Sequence, residues 1–367
     1  MFSLRVLRNL PRTAARIYGP LRRPVAYSTL ASDNRVSSEA PHPGNNLEAT
    51  SDFVTLQTKP VPDAPQSLAF SPVAFLDYIR KPSASPLIFR ASEERGRHAR
   101  TNGQEFLQTL RASGDRLVEI EAGRDVQVSK DLRLPHDYRT SVTLNMYLDW
   151  LCGNQVGFPN APWYLAQWLA RDEVPGLAEL VRPPQSLLAP LIEESKADLY
   201  QTGFFIGPAS AMSPLHYDPY ENLYTLHTSS DASVHGKHWL LLPPSLRLSP
   251  QLDRYMQPNM SALDFRLRRR RSGHRSEELE GSFDILVNRA SVPGDAAQRV
   301  LDAETALSCV MREGDMLFVP RRWWHRVENV VLQDGGNFTP EGNSGQAAGW
   351  TVGVGWWFLP RSLQHKS

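Results

Sequence analysis

Residues 213–218, Ser-Pro-Leu-His-Tyr-Asp, contain the pattern His-x-Asp, and what that pattern needs in order to work decides the fold. In an extended segment, residues two apart point to the same side, so His216 and Asp218 aim an imidazole and a carboxylate at one point. Two ligands leave a metal site incomplete, and the third has to arrive from elsewhere in the chain. Residues 314–320 (GDMLFVP) read as a turn entering a strand, with His325 five residues beyond. Two histidines and one carboxylate on one face of a metal leave positions open, the donor set suited to non-haem Fe(II) chemistry. Alone, His-x-Asp is a weak signal, because a chain with 10 histidines contains such spacings by chance. Its surroundings carry the reading.

Six residues after His216, Asn222 falls on the same side of the strand if the segment stays extended. Lys237 opens residues 237–244 (KHWLLLPP), an apolar strand with a cation at its start. A dicarboxylate co-substrate needs a cation for its distal carboxylate. A hydroxyl such as Ser213 or Tyr164 adds a hydrogen bond to the same oxygens. His227, His235 and His238 have spacings that zinc uses, but no cysteine or carboxylate accompanies them, and they read as ordinary strand or loop histidines. Trp323 and Trp324 read as core, and Cys152 as a small buried apolar residue.

Outward from this centre, residues 199–207, 222–227, 238–242, 316–319 and 350–358 read as short strands separated by turn residues, the texture of a sandwich or barrel. Upstream, residues 72–80 (PVAFLDYIR) carry helical apolar spacing, Leu87–Phe89 and 117–121 read as strands, and 144–151 as a helix capped by Ser141 or Thr143. A further helical stretch falls within 164–180, ended by Pro183 and Pro184. The organisation expected is a helical and mixed part over 67–197, then a β-barrel over 198–367, folded as one unit. Residues 251–302 read as an insertion carrying Arg266, Arg268, Arg269, Arg270, Arg271 and Arg275, followed by Glu277, Glu278 and Glu280. With acids so near, that run reads as a solvated helix or loop neutralised by its own carboxylates rather than as a nucleic-acid contact. A second insertion, 335–346, is rich in Gly and Asn and reads as a loop.

Composition sets the outer limits. A 41% hydrophobic fraction over 367 residues supports a sizeable core, and two cysteines, Cys152 and Cys309, exclude a disulfide-rich framework or a cysteine-rich zinc module. No apolar stretch approaches the length of a membrane span, so a soluble protein without membrane contact is expected. Six arginines (Arg5, Arg8, Arg12, Arg16, Arg22, Arg23) precede the first acid, Asp33. An Arg-rich, acid-free, Ser-containing start predicts a mitochondrial transit peptide over residues 1–34, cleaved near residues 26–31, and so the mitochondrial matrix. The alternative is a disordered basic tail on a cytoplasmic or nuclear protein. Without those arginines, 34 basic residues face 39 acids, a balance of −5 that offers no clear nucleic-acid surface. Residues 35–66, rich in Ser, Pro, Asn and Ala, read as a disordered linker.

Four phrases turn this pattern into a resemblance: 213–223 (SPLHYDPYENL), 236–245 (GKHWLLLPPS), 314–325 (GDMLFVPRRWWH) and 351–358 (TVGVGWWF). With 118–123 (VEIEAG) and 163–167 (WYLAQ), they resemble the consecutive signatures of the small JmjC-domain hydroxylases, the group that includes factor inhibiting HIF and the lysine-demethylase-8-like enzymes. The likeness runs over residues 72–360. It implies a mainly β fold, a double-stranded β-helix of the jelly-roll, cupin/JmjC kind, holding Fe(II) and the co-substrate 2-oxoglutarate, with ascorbate as reductant in vitro. Carried over by position, His216, Asp218 and His325 are the metal ligands and catalytic centre, and Tyr164, Ser213, Asn222 and Lys237 the 2-oxoglutarate contacts. Gly353 and Gly355 stand where some relatives place a polar side chain. The reaction implied is hydroxylation of a protein side chain, preferred to histone demethylation because no separate chromatin-reading module is read in the chain. An oxygenase acting on RNA or a small molecule, a non-catalytic JmjC-like binding module and a cupin isomerase are the competing readings.

Overall fold

The computed structural model describes residues 52–91, 102–122, 139–153, 163–209, 211–248, 259–270, 283–289, 295–332 and 349–361, all within the unit Ser51–Ser367. The basic amino-terminal run and the 335–346 loop lie outside the described residues, as do Arg271, Arg275, Glu277, Glu278 and Glu280.

Strands carry the architecture. In chain order they are β1 (Phe53–Leu56), β2 (Lys59–Pro60), β3 (Leu87–Phe89), β4 (Leu117–Ala122), β5 (Arg139–Thr143), β6 (Trp163–Trp168), β7 (Ala197–Pro208) and β8 (Met212–Tyr217). Then follow β9 (Glu221–Ser229), β10 (His235–Leu242), β11 (Phe265–Arg269), β12 (Phe283–Asn288), β13 (Leu307–Met311), β14 (Met316–Val319), β15 (Trp324–Val331) and β16 (Trp350–Pro360). Two facing sheets form the barrel. One holds β14-β9-β16-β7, extended by β3 on one side and β6-β4-β5 on the other; the second holds β13-β10-β15-β8, extended by β2. Of the eight barrel strands, β7, β8, β9 and β10 alternate between the two sheets in turn. That winding is the double-stranded β-helix expected from the sequence.

Side-chain alternation then separates three packed layers. On β16, Trp350, Val352, Val354, Trp356 and Phe358 face outward into a large apolar cluster, while Trp357 faces the barrel interior. The outward cluster is completed by helices, two of which form where the sequence placed them, while those at Gly103–Arg111 and Leu188–Glu193 were not foreseen. In Pro72–Ile79, Ser71 Oγ accepts the Ala74 N–H at 3.2 Å, a proline opens the first turn, and Phe75, Leu76 and Ile79 are buried. In Leu144–Leu151 the cap is Thr143, whose Oγ1 accepts from Met146 N, and Tyr147, Leu148 and Leu151 face the core. The interior cluster contains Phe205, Tyr224, Trp239, Leu241, Leu317, Val327 and Trp357. The third layer covers the far face of the second sheet.

That third layer corrects the sequence reading in two places. Residues 53–56, expected to be linker, form β1 and pair antiparallel with β12, Leu56 opposite Ile285, while β2 pairs with β13. Leu56 lies buried with Leu240, Leu242, Phe265, Ile285, Val287 and Trp324. The stretch around it is rich in Ser, Pro, Asn and Ala, but the strand itself is Phe-Val-Thr-Leu, and all four residues pair with β12 while Leu56 is buried. The arginine run is likewise neither helix nor loop over its described part. It forms β11, paired with β12, and its neutralising acid is Asp284 on β12, 2.9 Å from Arg268 and 2.7 Å from Arg270. Before the barrel, the helical stretch expected within 164–180 is present as the short helix Leu177–Leu180 after the turn Ala170–Asp172, preceded by β6. A smaller correction concerns Cys152, which is exposed at a helix end instead of buried. No helix among the described residues is long and apolar enough to cross a membrane.

Candidate metal centre

Antiparallel pairing of β8 with β15 sets His216 directly opposite His325 and Ser213 opposite Val327. Three steps along β8 match two along β15, so a β-bulge lies at residues 214–215. Its effect is specific. Residues an odd number apart normally face opposite ways; the extra residue turns both Ser213 and His216 inward while Leu215 packs into the outer layer. Asp218 follows just beyond the strand end. Its backbone oxygen accepts the Arg322 N–H at 2.7 Å, which ties the loop after β8 to the turn before β15.

The three predicted ligands come together. One ligand atom from each of His216, Asp218 and His325 lies within 4.8 Å of the others, and among the described residues no further group of three such side chains is gathered in this way. His325 Nε2 is 3.6 Å from Asp218 Oδ2, and the imidazole centroids are 4.2 Å apart. His216 Nδ1 lies 2.7 Å from Pro214 O, and His325 Nδ1 3.0 Å from Trp323 O. A carbonyl oxygen only accepts, so each Nδ1 carries the proton and each Nε2 keeps its lone pair for a metal. Burial, then the His216 imidazole beside it, pushes the His325 pKa well below its usual value, which keeps it a neutral ligand. Trp357 donates its indole N–H at 2.7 Å to Asp218 Oδ2, the same oxygen that lies 3.6 Å from His325 Nε2.

The four residues assigned to the co-substrate share the same barrel interior, but they reach it from different strands. The Tyr164 (β6) and Ser213 (β8) hydroxyls are neighbours, and Ser213 partly offsets the upward push of burial on the Tyr164 phenol. Asn222 does not extend the His216 strand, as expected; the chain turns after Asp218 and Asn222 is the second residue of β9, inward because Tyr224 and Leu226 are. Lys237 (β10) is fully buried, 5.9 Å from the ring centroids of both Tyr164 and Tyr224. Its Nζ donates to Asn329 Oδ1 at 2.6 Å, and among the described residues it has no carboxylate partner. Burial lowers its pKa from the usual lysine value to about 7.

Several site residues carried no signal in the sequence. Asn329 (β15) uses its amide N–H groups on Gly207 O and Pro208 O, which fixes its oxygen toward Lys237. Trp239 lies 5.8 Å from the His325 ring and Tyr224 stands against Trp239 at 4.8 Å. The barrel glycines make room for these rings. A Cβ on Gly353 would sit 1.7 Å from the Tyr224 hydroxyl, and one on Gly203 2.6 Å from the Trp357 ring.

A dicarboxylate and a divalent metal fit what this interior presents. Asn222 Oδ1, the Tyr224 hydroxyl and Trp239 Nε1 are buried without a hydrogen-bond partner among the described residues, and an unsatisfied buried polar group costs about 1–3 kcal/mol. Together with a buried lysine that has no counter-ion, they describe a cavity built for a polar, anionic occupant. The arrangement yields a test of the outer contacts. Trp357→Phe keeps an aromatic ring, smaller than the indole, but removes the donor to Asp218, and it is expected to weaken Mn(II) binding, read by spin-resonance titration, roughly ten- to a hundredfold.

Comparison with known proteins agrees with this geometry. The chain is 25% identical to lysine-specific demethylase JMJ30 of Arabidopsis thaliana over 64% of its own length and 45% of that protein's. It is 27% identical to lysine-specific demethylase 8 of Danio rerio over 62% and 46%. To the human bifunctional peptidase and (3S)-lysyl hydroxylase JMJD7 it is 27% identical over 34% and 36%. The chain thus spans less than half the length of each of these relatives. The family model for the cupin-like domain matches residues 81–364. With most of its length matched and its two facing sheets wound as a double-stranded β-helix, the chain belongs to the cupin-like, JmjC-type family.

Proposed function

We propose that this protein is an Fe(II)- and 2-oxoglutarate-dependent oxygenase that hydroxylates a protein side chain. The observation that carries the proposal is Lys237, a buried cation without a carboxylate partner among the described residues, in the same barrel interior as a two-histidine, one-carboxylate cluster. A metal site alone would suit many reactions. A metal site that shares its cavity with a dry lysine suits a co-substrate with one end for the metal and an anionic far end.

His216, Asp218 and His325 would hold Fe(II) from one side, with Trp357 fixing the carboxylate. Lys237, oriented by Asn329, would hold the distal carboxylate of 2-oxoglutarate, with the Tyr164 and Ser213 hydroxyls beside it and the free Asn222 oxygen facing the same interior. When bound, iron and 2-oxoglutarate supply the oxidation, in which dioxygen and 2-oxoglutarate become succinate, carbon dioxide and a hydroxyl group on substrate carbon. The protein contributes orientation and a cavity whose apolar walls, Leu226, Trp239, Leu241 and Val327, exclude water.

Hydroxylation is the common step of both activities named among the relatives. On an ordinary carbon it is the product; on an N-methyl carbon the hydroxylated group leaves as formaldehyde. The names of the relatives support a protein substrate, and lysine in particular, for this chain as well.

Purified protein supplied with Fe(II), 2-oxoglutarate and ascorbate is expected to form succinate, and His216→Ala is expected to form none above background. Absence of both turnover and 2-oxoglutarate binding in the wild type would leave the fold without the chemistry. Formaldehyde release with a methyl-lysine peptide, without a hydroxylated peptide product, would replace hydroxylase by demethylase. The buried lysine sets the pH dependence. Its charged form is the one that binds a carboxylate, and its pKa before binding is about 7. The apparent Kd for 2-oxoglutarate, measured calorimetrically with Mn(II), should be nearly flat below that pH and rise by up to about tenfold per pH unit above it. A flat profile to pH 9 would remove the lysine charge from the account.

The basic start of the chain supports a second proposal, import into mitochondria through residues 1–34. A fluorescent fusion should lose its mitochondrial location when those residues are deleted; an unchanged location would exclude the targeting role.

A further inference from the structure

The long insertion meets the metal strand at its free edge. β8 ends the five-stranded sheet, so the backbone groups on its outer side have no strand partner within that sheet. Residues 259–261 of the insertion provide one. Tyr217 N–H donates to Asn259 O at 2.9 Å, and Ser261 N–H donates to Leu215 O at 2.9 Å, with Met260 opposite His216 in an antiparallel bridge. The Asn259 side chain adds a third bond, Nδ2 donating to Tyr217 O at 2.9 Å. Asn259 therefore holds both backbone polar groups of the residue that separates the ligands His216 and Asp218.

Strand geometry says where Met260 points. The two flanking bonds make His216 and Met260 a non-hydrogen-bonded pair, in which the Cα atoms are about 4.5 Å apart and the side chains project from the same face. For His216 that is the metal face. Met260 is half-buried, as is His216, so both stand at the rim of the cavity rather than in its floor. The rest of the described insertion is tied down away from the site. Arg268 and Arg270 pair with Asp284, Arg269 donates to Val331 O and Leu332 O, and the Arg266 guanidinium lies 4.2 Å over the Phe53 ring. The insertion is thus tied to its surroundings by Arg266 and Arg269 and meets the strand of His216 through residues 259–261.

We propose that residues 259–261 are a functional part of the metal centre: Asn259 is a positioning residue that holds the His216–Asp218 segment, and Met260 forms a wall of the entrance against which apolar atoms of the substrate pack. The inference rests on the metal reading of His216, Asp218 and His325. A polarizable, unbranched thioether suits the wall because it adapts to the stem of a long side chain without competing for the metal through a charged group.

The full chain is titrated with Mn(II) by spin resonance as wild type, as Asn259→Ala and as Val287→Ala, a buried control in the same outer layer. The Kd is expected to rise about tenfold in Asn259→Ala and to stay within twofold in Val287→Ala, even where the two variants lose similar thermal stability. Independently of any variant's folding, the wild type labelled with methionine methyl carbon-13 is observed by NMR with and without Mn(II), the Met260 signal being assigned through Met260→Leu. Saturating Mn(II) should broaden the Met260 methyl beyond detection and leave that of Met146, exposed on an outer helix, sharp. An unchanged Kd in Asn259→Ala would overturn the positioning role, and a sharp Met260 methyl would overturn the wall. A wild type that binds no Mn(II) would overturn the metal reading and this inference with it.

Discussion

The register between β8 and β15 is the constraint on which the site depends. It puts His216 opposite His325, so the two candidate ligands are neighbours across a ladder rather than side chains that must search for one another. A slip of one residue would turn one of them out of the barrel. Several devices hold the register. The bulge at residues 214–215 brings Ser213 inward with His216, the Arg322 amide holds the Asp218 carbonyl, and residues 259–261 occupy the strand's outer edge.

Around that register the interior departs from an ordinary core. A buried lysine, a carboxylate, two imidazoles and unpartnered amide, phenol and indole groups lie among Leu226, Leu241, Leu317 and Val327. Burial drives the phenols of Tyr164 and Tyr224 upward and the ammonium of Lys237 downward in pKa, each in the direction that favours the neutral form. Such a cavity costs stability, and the cost is offset elsewhere. The two outer layers are apolar and well filled, one by helices and the other by the β1-β12-β11 sheet. Gly203 and Gly353 serve the same end, since only the absence of a Cβ lets Trp357 and Tyr224 occupy their places. Stability thus comes from the flanks, while the interior is kept for ligands.

Placing the insertion in the outer layer also explains its composition. On an exposed β-ribbon, arginines alternate with apolar residues such as Phe265 and Leu267, and their charge is met by one aspartate on the neighbouring strand and by carbonyl groups. Asp284, within the insertion, neutralises the largely exposed Arg268 and Arg270, while Arg269 ties the ribbon to the end of β15 through Val331 O and Leu332 O.

The amino-acid sequence by itself determined whatever rests on local periodicity and local chemistry. The two-residue spacing of His216 and Asp218 places both ligands at the end of one strand, the period of two in 350–358 separates Trp356 from Trp357, and Ser71 and Thr143 start their helices as side-chain caps should. The same local reading proposed His325 as the third ligand, and the resemblance proposed Tyr164, Ser213, Asn222 and Lys237 as co-substrate contacts. Tertiary structure alone decided what depends on pairing between distant segments. Asn222 belongs to a different strand from His216, Trp357 meets Asp218 across 139 positions, and Asn329 turns to Lys237 across 92. Residues 53–56 (FVTL), apolar themselves but set in a stretch rich in Ser, Pro, Asn and Ala, form a strand with β12 beside them, and Cys152, apolar enough to predict burial, is exposed because its helix ends there. Composition reports what a segment would prefer in isolation; hydrogen-bond partners and burial are properties of the neighbours that the rest of the chain provides.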